Sequence, residues 1–219
     1  MRRSLVLSLA VAMLAGGLAT LQPAAAQPDA KHSMHDSAHA ATAPAASAAA
    51  APVAAGEAPA PGSMRAITLR QIGAAQEKLV ALAEAMPADK YGWRPGEGVR
   101  SVGEVYMHVA SANFWLPTFW GAKVPAGVDP RNLEKEGGDK AKTVAALKQS
   151  FEFVHQAINA LPDSDLQKPI KIFGRDALVA EAMVGIASHD HEHLGQAIAY
   201  ARMNGVVPPW SAAEGQRGR

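Results

Sequence analysis

The chain has 219 residues, 21 basic and 20 acidic, and no cysteine. So even a charge balance gives no electrostatic reason to wrap a polyanion, which argues against nucleic acid as a partner. Without cysteine there is no disulfide framework, thiolate metal ligand, cysteine nucleophile or lipid-modified cysteine.

Residues 1–26 read as a secretory signal. Arg2 and Arg3 form a positive start, Leu5 to Leu21 an apolar core, and Ala24-Ala25-Ala26 a small-residue cleavage pattern. The apolar run is short for a membrane-spanning helix, which needs about 20 residues, and it meets Pro23. Cleavage after Ala26 is expected, giving a periplasmic or secreted protein with no membrane attachment. It removes two basic residues and no acid, leaving 19 basic against 20 acidic, a net charge of −1. Residues 27–63 are mostly Ala, Pro, Ser and Gly, with five prolines from Pro28 to Pro61, and read as a disordered arm. His32, His35 and His39 lie there beside Met34. A solvated spacer is the simpler reading, because no ordered scaffold would fix a ligand geometry.

Residues 64–211 carry helical periodicity, enough chain for one domain with its own core, and residues 212–219 read as a disordered tail. The first helix is predicted from Arg65 to Met86, with Leu69, Ile72, Leu79, Leu82 and Met86 on one face and Pro87 as its stop. A turn-rich connector, Tyr91 to Gly96, follows. Ser101 with Glu104 three residues on forms a capping box that opens the second helix, along which Val105, His108, Ala112, Trp115 and Phe119 recur at helical spacing. A Pro/Gly-rich loop leads to the third helix, where Val144, Leu147, Phe151, Val154, Ile158 and Leu161 give the clearest periodicity in the chain. Lys168 to Gly174 is either a short extended piece or an irregular turn. The fourth helix is predicted from Asp176 to Asn204, ended by Gly205 and Pro208-Pro209. The expected fold is all-α, a four-helix bundle.

His189 and His193 stand one turn apart, about 40° around the helix, so both imidazoles can reach one ion. They share the stripe of Ile186, Ala197 and Tyr200, and His108 shares the apolar stripe of the second helix. A metal site between the second and fourth helices follows, with His108, His189 and His193 as ligands. A lone inward histidine is usually a core residue with a hydrogen-bond partner. Three of them in an apolar stripe would each need one. His191 points about 200° from its neighbours and is expected at the surface or behind the ligands. His155 lies beside the third helix's stripe, a boundary residue more readily than a fourth ligand. Glu104 is the candidate catalytic residue, as a base or as an orienting group for His108, although its place in the capping box is a sufficient reason for it.

Gly92-Trp93-Arg94-Pro95, then Arg100 to Glu104 through His108, resemble the DinB-like (YfiT-like, damage-inducible) family. The resemblance resumes at His189 to Gln196 and at Asn204 to Pro209. It implies a four-helix bundle holding a divalent metal, zinc or nickel, on three histidines at positions matching His108, His189 and His193. It also implies metal-dependent transferases and isomerases that use a low-molecular-weight thiol in the reducing cytoplasm, whereas this chain carries an export signal. Family bundles often pair, so a homodimer is an expectation as well.

Three functions remain open. The first is an exported metal-dependent enzyme acting on a small molecule, a thiol-type transferase or a hydrolase, since three imidazoles leave coordination positions free. Trp93, Tyr106, Trp115 and Phe119 are candidate pocket walls, or plain core. The second is a non-catalytic exported metal- or ligand-binding module, and the third a structural bundle whose histidines bind nothing.

Overall fold

The computed structural model describes residues 58–211. The signal segment, most of the arm with its three histidines, and the tail lie outside the described residues.

Helix α1 spans Met64–Ala85, capped by Ser63, whose hydroxyl accepts the Ala66 amide. Pro87 cannot continue the ladder, and the chain turns through a short 3-10 segment, Ala88–Lys90. The connector then doubles as a cap for helix α2, Val102–Trp115. The Val102 amide donates to the Trp93 carbonyl and the Gly103 amide to the Tyr91 carbonyl, while Tyr91 itself donates its hydroxyl to the Ala83 carbonyl at 2.7 Å. The capping box is formed: Ser101 accepts from the Glu104 amide and Glu104 from the Ser101 amide. These contacts fix the start of α2, and with it the height of His108 in the bundle. The helix ends four residues before Phe119, because Pro117 turns Leu116–Trp120 into a 3-10 segment.

Helix α3 spans Lys140–Asn159, capped by Asp139. The extended reading of Lys168 to Gly174 is half of a β-hairpin: β1, Pro169–Ile172, pairs antiparallel with β2, Arg175–Leu178. Its two-residue turn, Phe173-Gly174, has positive φ at both positions, 51° and 79°, as a type I′ turn requires. The second strand uses residues expected to begin the last helix, so α4 starts later, at Val179, and runs to Met203.

Each helix packs against two others: α2 on α3 and α4, and α1 on α3 and α4. Ile72, Leu79, Leu82, Val109, Leu147, Phe151, Val154, Ile158, Met183 and Ile186 are fully buried between them. Each such side chain contributes about 1.5–3 kcal/mol by leaving water. The hairpin packs through Ile172 and Ala177 onto Ala182, Phe119 and Trp120, outside the main core. The fold is a mostly helical bundle with this small hairpin added. Among the described residues no helix is long and apolar enough to cross a membrane.

Candidate metal centre

His108 on α2 and His189 and His193 on α4 converge. One nitrogen from each ring lies within 4.8 Å of the others. The Nε2 atoms of His108 and His189 are 3.2 Å apart, and the ring centroids are separated by 4.5 to 5.1 Å. His108 and His193 are buried and His189 is partly so.

The ring nitrogens turned away from this point have different surroundings. His108 Nδ1 lies 2.7 Å from Glu134 Oε1, and the Glu134 carboxylate in turn accepts from Arg100, 2.8 Å from Nε to Oε2. His193 Nδ1 lies 2.8 Å from Gln196 Oε1, and Gln196 donates to the Tyr200 hydroxyl at 3.0 Å. Tyr200 is held by the edge of Trp93, 5.4 Å between centroids. His189 Nδ1 is buried with no hydrogen-bond partner among the described residues.

Burial, reinforced by the neighbouring rings and Arg100, lowers His189 to about 3. Burial also lowers His193, against the opposing Gln196 hydrogen bond. Both rings are therefore neutral at pH 7, the form that binds metal. Burial would raise Glu134, but hydrogen bonds from His108 and Arg100 outweigh it and hold the carboxyl at about 2. The residues fit a divalent ion on donor chemistry, and the His108–His189 pair fits on spacing as well. Two nitrogens each about 2.0–2.1 Å from a tetrahedral ion stand about 3.3 Å apart, close to the 3.2 Å found. Acceptors behind two of the rings leave their Nε2 lone pairs facing inward.

The other candidate residues are placed elsewhere. His191 is exposed, its Nε2 3.2 Å from the Gln71 carbonyl. His155 faces Gln76 Oε1 at 3.0 Å and does not join the cluster. Glu104 is spent on the cap and on Arg94, 3.1 Å away. Tyr106 is core, 6.2 Å from the Tyr91 ring, whereas Trp115 and Phe119 stack with the half-exposed Phe173 of the hairpin turn. Three further residues at or beside the centre, Glu134, Gln196 and Asp190, have no role in the expectations drawn from sequence. Gln196 carried a signal, one turn after His193. Glu134 carried none, since Glu134-Lys135-Glu136 in a Pro/Gly-rich loop reads as a solvated charge run. Asp190, a charged residue beside His189, reads from its residue type as solvated. It is instead fully buried with neither carboxylate oxygen partnered among the described residues, and burial pushes its carboxyl well above the usual range. Position 190 is buried because it continues the stripe of Met183, Ile186 and Ala197.

Fold and site together define a helical bundle with a buried trio of histidines between its second and fourth helices. Residues 71–197, more than half of the chain, match the DinB superfamily, and the protein belongs to it. Its fold is similar to the crystal structure of a DinB-like protein from Bacillus cereus, with a TM-score of 0.58 at 16% identity, covering 65% of this chain and 93% of that one. A DinB-like protein from Bacillus subtilis, YjoA, is 22% identical, with a TM-score of 0.43 over 64% of this chain and 93% of its own. At 16% identity the likeness to the Bacillus cereus protein speaks for the fold alone. No curated protein matches the chain.

Proposed function

We propose that this protein is exported and holds one divalent ion, zinc or nickel, on His108, His189 and His193 to act on a small molecule, as a thiol-type transferase or a hydrolase. One observation carries the reading: three imidazole nitrogens meet in a largely buried pocket, and two of the rings have an acceptor behind them. An ion held there supplies a Lewis acid with an open position. The chain's own residues prepare the ligands. Glu134 keeps the proton on His108 Nδ1, so the Nε2 lone pair faces inward. Gln196 does the same for His193, braced by Tyr200. Glu104 enters as the residue that fixes the start of α2. Acting as a base would require it to leave the Ser101 amide and Arg94.

The second reading is a non-catalytic exported module that binds a metal or a ligand. The engagement of both Glu104 and Glu134 favours it, since neither is free to take a proton.

Metal analysis of the purified protein, then turnover of ester and thiol-plus-electrophile panels by loaded and stripped samples, separates the readings. Metal-dependent turnover supports the enzyme. A loaded protein that turns over neither panel supports the binding module, and a protein that takes up no zinc or nickel overturns both. Amino-terminal sequencing of the exported chain should begin at Gln27. Material that retains Met1 contradicts cleavage.

A further inference from the structure

We propose that Glu134 is the positioning residue of the trihistidine site, and that a glycine-to-glycine backbone contact between Gly103 and Gly137 sets it in place. The proposal rests on the metal reading above but concerns residues that no ligand spacing points to.

Glu134 belongs to a four-residue 3-10 turn, Leu133–Glu136, within the long connection from α2 to α3. Such a turn has little stability of its own and must be held by what it docks on. Its dock is the first turn of α2. A Cβ on Gly103 would lie 1.6 Å from the Gly137 carbonyl oxygen, and a Cβ on Gly137 would lie 2.7 Å from the Glu104 amide nitrogen. The obstacle is backbone in both cases, so no side chain can swing aside. Neither residue is among the positive-φ glycines, so contact rather than conformation demands glycine at both. The contact places Glu134, three residues before Gly137, over the α2 residue two turns short of Trp115, which is His108.

There the carboxylate is held from two sides. Oε2 accepts from Arg100 Nε at 2.8 Å, Oε1 lies 3.4 Å from Arg100 Nη2, and Oε1 is 2.7 Å from His108 Nδ1. Arg100 stands just before α2 and Gly103 in its first turn, so clamp, dock and ligand lie along one short stretch of chain, residues 100–108. Of the three rings, His108 alone has a carboxylate behind it. His193 has an amide, and His189 no partner among the described residues. A carboxylate on Nδ1 fixes both the tautomer and the plane of the ring and makes Nε2 a stronger donor. Since His108 is the ligand contributed by α2, Glu134 governs the only bond by which an ion would tie that helix to α4.

The test compares wild type, Glu134→Gln, Gly103→Ala and the double variant, each as the whole protein. Zinc affinity is measured by competition with a chromophoric chelator, and the melting temperature of the metal-free form is measured alongside. Glu134→Gln should weaken zinc by about 10- to 100-fold with little change in the metal-free melt. Gly103→Ala should weaken zinc too, because it lifts the turn, and the double variant should lose little more than Glu134→Gln alone. A metal-independent arm follows the imidazole nitrogens of metal-free protein by NMR. His108 should carry its proton on Nδ1 in wild type and lose that preference in Glu134→Gln, even if Gly103→Ala fails to fold. Wild-type zinc affinity in Glu134→Gln, or losses that add fully in the double variant, would overturn the positioning role. Wild type that binds no zinc would instead overturn the metal reading itself, and the nitrogen spectra would still decide the fate of the Glu134 contact.

Discussion

The two halves of the bundle are built from different materials. On α1 and α3, Ile72, Leu79, Leu82, Leu147, Phe151, Val154 and Ile158 are fully buried, and buried polar residues have partners: Arg65 pairs with Asp163, Ser150 donates to the Leu147 carbonyl and Thr143 to the Asp139 carbonyl. On α2 and α4 the inward positions include His108, Asp190 and His193. Buried atoms of Tyr106, Asn113, His189 and Asp190 there lack hydrogen-bond partners among the described residues. An unpaired buried polar group costs about 1–3 kcal/mol, whereas each apolar side chain adds stability. The α1 and α3 core is thus largely apolar, whereas α2 and α4 bury their chemistry among apolar residues such as Val105, Val109, Met183 and Ile186.

This contrast can be broken most easily where the expected effect is largest. Phe151→Ala should lower stability by about 3–5 kcal/mol, yet the folded fraction should bind metal at wild-type stoichiometry. Metal lost in proportion to the stability lost would show that the halves are not separable. The pH dependence of the metal-free protein should come next. His189 sits near 3 in the fold against an ordinary value of 6.5, so the unfolded chain takes up a proton that the folded chain refuses. That stability is fully present above 6.5 and is lost as pH falls toward 3, by on the order of a few kcal/mol. Chemical denaturation across this window should show a flatter slope in His189→Ala and an unchanged slope in Phe151→Ala. His155, lowered by burial on α3, adds to the slope in the same direction in both variants.

A smaller change should have the opposite sign. Asp190→Leu should stabilise the metal-free protein by about 1–3 kcal/mol, because it removes two unpartnered oxygens from the core. A loss of stability, read in the same denaturation experiment, would mean that Asp190 has a partner beyond those described. The smallest effect is expected at His191. His191→Ala should change stability by no more than about 0.5 kcal/mol and leave metal stoichiometry intact, since the ring is exposed on the α1 side.

What the sequence made legible follows the range of its signals. Helical periodicity and the Ser101–Glu104 box act within one element, and they identified four helices and the pairing of His189 with His193. His108 was legible because it too lies on an inward stripe. The hairpin was harder to read. Only four residues form each strand, and Phe173 occupies a turn position that usually favours Asn or Gly, which hid the turn and moved the predicted start of α4 too early. Glu134 was illegible for a different reason. Its partners Arg100 and His108 lie 34 and 26 residues away, and nothing local distinguishes it from Glu136, which pairs with Lys142 in solvent. Contacts made across a loop leave their trace in both partners at once, as in Gly103 and Gly137, and in neither alone.

The proposed ion, held by His108, His189 and His193, would tie α2 to α4. Thermal melts at pH 7.5 of zinc-loaded and chelator-stripped protein, with the metal content of each sample measured, test it most directly. An ion that binds only the native state at about 100 times its dissociation constant adds about 2.7 kcal/mol. Loaded wild type should show a clear rise in melting temperature, absent in both His108→Ala and His189→Ala, while stripped wild type still folds. Identical melts for loaded and stripped wild type, or a zinc-dependent rise that survives in His189→Ala, would contradict it.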